Sequence, residues 1–252
     1  MRTPLALTFF AFITLPLAYA QNPKPSPYVE AGIPAPSRQW TGADFAQTFQ
    51  ILSSGSIALP RYSDRHGATL LRRMTAIENF SFYKSQSLPI QLRMQDYSVL
   101  MQSVSSLMKL YVAHSLKETA SANPEMVSLM AFTLRACVVG LELTDEFLPT
   151  IPKDDKYATR MEGLKKMNSG ITIVFVSAEA SLSETNSFSS KDRALILETM
   201  AATLPTLKRA FAPDYKLELQ QKLRKHRAEW VTAMSRKKEL LHIDAMLHEL
   251  EG

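Results

Sequence analysis

The sequence predicts an all-α protein, with six to seven helices in a mostly antiparallel, up-and-down bundle. Three observations carry that expectation. Apolar residues recur at spacings of three and four across residues 41–252, which gathers them on one side of a 3.6-residue helix. Helix-start signals stand at Ser87–Pro89, Asn123–Pro124 and Ser190, where a capping side chain or a first-turn proline satisfies or avoids an orphan N–H. The connections between these runs are short, which favours antiparallel neighbours.

Residues 1–20 are set aside first. Arg2 precedes an apolar run from Leu5 to Leu17, and Ala18-Tyr19-Ala20 closes it. That order of charge, apolar core and small-x-small site is a signal peptide, cleaved after Ala20. The expected destination is a bacterial periplasm or the medium. An uncleaved anchor is the rival reading, but the run is shorter than the roughly 20 residues a bilayer requires. No later run approaches about 18 uninterrupted apolar residues, so no membrane span is expected after signal removal.

Residues 21–40 hold Pro23, Pro25, Pro27, Pro34 and Pro36, a density that opposes helix and predicts a flexible, extended leader. Residues 41–252 then form a single helical domain. Its clearest helix spans 87–117, where Tyr97, Leu100, Met101, Val104, Leu107, Met108 and Tyr111 make one stripe. A second runs from Asn123 to about Phe147 and is stopped by Pro149 and Pro152. Asp154 and Asp155 suit the first turn of the next helix, where a carboxylate meets the positive end of the dipole.

The stretch Gly170-Ile-Thr-Ile-Val-Phe-Val176 has the β-branched density of a strand. A lone strand would leave its backbone groups unpaired, so residues 156–184 are read as one helix buried on all sides at its middle. Another helix starts near Ser190 and meets Pro205, a potential kink. Pro213 opens the last. A continuous helix from Asp214 to Leu250 would extend about 55 Å at 1.5 Å per residue, beyond the roughly 45 Å diameter of a compact domain of this size. It must overhang or break, and Ser235-Arg-Lys-Lys238 is the expected break, leaving 236–252 as a separate C-terminal helix.

Lys and Arg total 29 against 24 Asp and Glu, a net charge of +5, which gives no argument for a nucleic-acid partner. Cys137 is the single cysteine, so no intramolecular disulfide forms; in its apolar helical setting it reads as a buried, inert thiol.

Motifs with chemistry are missing. No Gly-x-Ser-x-Gly, phosphate loop, His-Glu-x-x-His or Cys-x-x-Cys occurs, and no catalytic residue, cofactor or metal site is assigned. Glu239, His242, Met246 and Glu249 share one side of a helix, but Glu239-x-x-His242 has no second copy, as a di-iron bundle would need. His242 with Met246 supplies only two soft ligands for copper. Met94, Met101 and Met108 recur every seven residues, with Met126 and Met130 beyond; core filling by flexible thioethers explains the spacing as well as metal does. His226 falls on the apolar stripe of Leu219, Leu223, Trp230 and Met234. Lys216, Lys222, Arg224, Lys225 and Arg227 scatter round the helix rather than forming one basic face. Asn79-Phe80-Ser81 matches a glycosylation sequon.

The expected role is therefore an exported, non-catalytic bundle working through contacts with a protein partner. The alternative is a bundle that holds a lipid or other hydrophobic small molecule between its helices. An enzyme with a composite, metal-dependent site comes third.

Overall fold

A computed structural model describes residues 26–115, 123–183, 187–231 and 237–251. The fold is all-α: 79% of the described residues are helical, and no strand occurs among them. Nine α-helices are seen there: α1 (Pro27–Glu30), α2 (Gly42–Ser53), α3 (Arg65–Met74), α4 (Ile90–Ser115), α5 (Asn123–Phe147), α6 (Tyr157–Ser183), α7 (Ser190–Leu207), α8 (Pro213–Trp230) and α9 (Lys237–Glu251). The count exceeds the expected six to seven because α1 to α3 are short and their periodicity is hard to resolve. The signal segment, residues 1–20, lies outside the described residues.

Helix ends follow local chemistry. Ser189 and Asp192 form a capping box at α7, with Ser189 N donating to Asp192 Oδ2 at 3.1 Å and Asp192 N donating to Ser189 Oγ at 3.2 Å. Thr41 and Asp44 repeat the device at α2, Thr41 N donating to Asp44 at 2.9 Å. Pro205 lies inside α7 and does not end it.

The antiparallel expectation holds for the central pairs. On α4 and α5, Arg93 meets Glu146 and Tyr97 Oη donates to Ala136 O at 3.0 Å, while Met108 lies against Thr133. On α5 and α6, Thr144 approaches Met167 and Met130 approaches Ser181. One index rises as the other falls in each pair.

Helix α5 is the centre of the molecule. Leu129, Phe132, Ala136, Val139 and Leu143 face a core built with α1 to α4. Val127, Met130, Leu134, Cys137 and Leu141 face a second core built with α6 to α9. Both sets step by three and four, so one helix carries two stripes on opposite flanks. The most apolar stretch of Asn123–Thr150 has a mean hydropathy of 1.7 and is long enough to cross a membrane, yet 72% of it is buried inside this fold.

Two expectations need correction. The leader expected to stay extended over 21–40 is packed from Ser26 onward: Tyr28, Ile33 and Trp40 belong to the first core, and Trp40 is fully buried in edge-to-face contact with Phe45 at 5.5 Å. Pro27 opens α1, and Pro36 lies in the turn closed by Arg38 N donating to Ala35 O. The 156–184 segment is the helix α6, but its middle is not enclosed, because Ile173 is 65% exposed while Ile171 and Phe175 are buried. The expected division of the last helix holds, since α8 ends at Trp230 and α9 begins at Lys237, and the separate C-terminal helix does not overhang. α9 folds back along α8, with Arg227 bonding Asp244, Arg224 bonding Glu251 at 3.0 Å and Gln220 donating to Leu250 O at 2.8 Å. In a straight helix the 17 residues from Arg227 to Asp244 would separate them by about 25 Å. The residues joining the two helices, 232–236, are outside the described set.

Candidate functional site

α4 and α6 both pack on α5 but leave a channel between them. One half of this channel, 540 Å3, lies between Met101, Met108 and Val112 of α4 and Ile173, Val174 and Ser177 of α6, with Met130 and Thr133 of α5 beneath. The other half, 620 Å3, continues past Met94 and Met101 toward Phe147, Leu164 and Met167. Met101, Ser105, Ile173 and Val174 belong to both halves, so the channel is one groove. Each volume lies within the roughly 300–1,000 Å3 of small-molecule sites.

Local sequence explains the opening. The buried stripe of α4 uses Tyr97, Leu100, Val104, Leu107 and Tyr111, whereas Met94, Met101 and Met108 sit on its shoulder and are only partly buried. On α6, Gly163 and Gly170 face the groove, and a Cβ at either would meet nothing within 4 Å. Met101 and Met108 pack against both cores, placing the groove at the seam where the cores meet.

The groove makes few polar demands. The Thr133 hydroxyl donates to Leu129 O at 2.7 Å and that of Ser177 to Ile173 O at 2.9 Å. Tyr97 Oη is engaged with Ala136 O. Neither lining contains a carboxylate. Arg160, at the far end, is held by Asp154 through bonds of 2.7 and 3.1 Å and by Pro152 O. Such walls suit an apolar occupant whose own polar atoms lie outside.

A second cluster joins α6 to α8. Glu179, buried, accepts from Lys222 Nζ at 3.0 Å and lies 3.3 Å from His226 Nε2; Trp230 lies against the imidazole, ring centroids 5.4 Å apart. Burial raises the Glu179 pKa, but the His226 and Lys222 bonds outweigh it and hold the carboxyl below its usual 4.5. A depressed carboxyl stabilises the fold above 4.5, and that contribution is lost as pH falls through the folded-state value. Chemical denaturation at successively lower pH should therefore show less acid sensitivity in Glu179→Gln than in the parent protein. The cluster supplies no nucleophile and serves as an inter-helical tie. Sequence periodicity placed His226 on the stripe, but its partner lies 47 residues away and left no local signal.

The other sequence candidates separate. Met246 is buried, His242 is half-buried, and Glu249 pairs with Lys208 at 2.9 Å; no cluster of metal-ligating side chains forms there among the described residues. Cys137 is buried, and burial pushes its thiol up to about 12. Lys222, Arg224, Lys225 and Arg227 each lie within 4 Å of a carboxylate oxygen. Asn79 is fully buried, its amide donating to Arg73 O and Met74 O at 2.9 and 3.1 Å, so the folded protein does not present the sequon. Of the five spaced methionines singled out in the sequence, Met94, Met101, Met108 and Met130 reach the groove, and Met101 and Met108 also pack against both cores. No family model, curated protein or solved structure matches this chain.

Proposed function

We propose that this chain is an exported binding protein that holds a hydrophobic small molecule in the groove between α4 and α6. The observation that carries the reading is the continuous thioether and aliphatic lining from Met94 to Val112, free of carboxylates, above Thr133 and beside Ser177, whose hydroxyls are bonded to helix carbonyls. Flexible, polarizable methionine adapts to ligands of varied shape. Export rests on the Arg2, Leu5–Leu17 and Ala18-Tyr19-Ala20 pattern.

Titration with hexadecanol tests the reading. Saturable binding of one molecule is expected, weakening in the shorter homologues by about fourfold for each methylene removed, the ~0.8 kcal/mol of one buried CH2. Met101→Lys places an ammonium at the seam of both halves and should weaken binding at least about tenfold. Absence of saturable binding to the parent protein would sink the reading. A helical segment of a protein partner is the second reading, favoured by the exposure of Ile173 and Val112 on the rim, 65% and 46%. Such a partner would lay its apolar side along the groove, and hexadecanol would not compete stoichiometrically for a surface that broad.

A further inference from the structure

We infer that the occupant is a single-chain anionic amphiphile, bound lengthwise with its acidic head at Lys109 and its tail running toward Met94 and Phe147; this rests on the apolar-groove reading above. The groove carries two cations, one toward each end, and they are not equivalent. Arg160 spends its guanidinium on Asp154 and Pro152 O. Lys109 is exposed and makes no ion pair among the described residues, although it belongs to the lining of the Val112 half. With no carboxylate in either lining and Arg160 already paired with Asp154, the cation left to meet an anion in the groove is Lys109. An acidic head therefore has one favourable address.

Length agrees with that polarity. Lys109 to Met94 spans 15 residues of α4, about 22 Å at 1.5 Å per residue, which accommodates a long acyl chain laid along the helix. Side chains beyond Lys109 toward Met94 are Ser105, Met101 and Ser98 on α4, facing Val174, Gly170 and Met167 on α6. No full charge interrupts this path before Arg160, so the tail meets thioether and aliphatic surface throughout. Lys109 itself places its methylene stem along the apolar wall while its ammonium remains in water. The head is consequently solvated on one side, and the ion pair has the modest strength of an exposed one.

The test compares hexadecanoate, lysophosphatidylglycerol and hexadecanol on three proteins: the parent, Lys109→Met and Arg160→Met. The parent should bind at least one of the two anions more tightly than the alcohol, by about fivefold, the ~1 kcal/mol of an exposed ion pair. Lys109→Met should bring acid and alcohol to the same affinity, erasing that preference, while Arg160→Met should keep the roughly fivefold ratio of acid to alcohol. Which anion shows the preference distinguishes a free fatty acid from a lysophospholipid source. Equal affinity for acid and alcohol in the parent, or a preference abolished by Arg160→Met and untouched by Lys109→Met, overturns the inference while the groove reading stands. Failure of all three ligands to bind overturns the groove reading itself.

Discussion

Phe132→Ala is expected to lower unfolding free energy by about 4 kcal/mol, the usual cost of emptying a buried aromatic site. Phe132 is fully buried on the first-core stripe of α5 and lies between two other rings, 5.6 Å from Phe45 and 4.8 Å from Phe80, both nearly parallel to it. Phe45 comes from α2 and Phe80 from the turn of 3-10 helix Ile77–Phe82, so truncation removes a filler that three separate segments share. Collapse of the site would require all three to move. Against a typical total of 5–15 kcal/mol, the loss should appear as a large fall in urea midpoint with a nearly constant slope. A change under 1 kcal/mol would show that the stack does not organise this core.

Gly42→Val should cost about 3 kcal/mol, the upper end of the range for overpacking. Gly42 opens α2 against the side of α4, and a Cβ there would stand within contact of Asp96 O and 2.8 Å from Leu100 N. These are backbone atoms of a helix interior, unable to rotate away. The same approach lets Gly42 N donate to Asp96 Oδ2 at 2.7 Å, an oxygen that also accepts from Tyr83 Oη at 2.7 Å. Displacing α2 would break the first bond and strain the second. Gly170→Ala is the control, since its Cβ meets open space; relief of glycine's unfolded-state entropy should there add about 0.5–1 kcal/mol. Calorimetric melting of both variants measures the contrast.

Features set within one turn of helix were legible in the sequence. Asn123-Pro124 and Ser190 lie within a residue of true helix starts, and the argument that a lone strand cannot satisfy its backbone gave α6 its correct form. The geometric limit on helix length gave the division between α8 and α9. What escaped depends on distant pairing. Tyr28, Ile33 and Trp40 stand at no helical period, and nothing local shows that they insert beside Phe45 and Phe132. Arg93 is buried and donates to Tyr83 O and Leu88 O besides Glu146, and no local pattern names the Glu146 carboxylate as its partner. The groove was illegible for the same reason: methionine at seven-residue spacing fits both a packed stripe and its exposed shoulder, and only the placement of α6 decides between them.

The position of α5 also governs how the molecule comes apart. A chain with two cores would ordinarily melt in two stages, each half keeping its own midpoint. Here α5 supplies a wall of both cores, so neither can loosen without exposing the other's wall. Loss of order should thus be all-or-none, and the amides of residues 129–141 should exchange with solvent last of all, only when the whole chain opens.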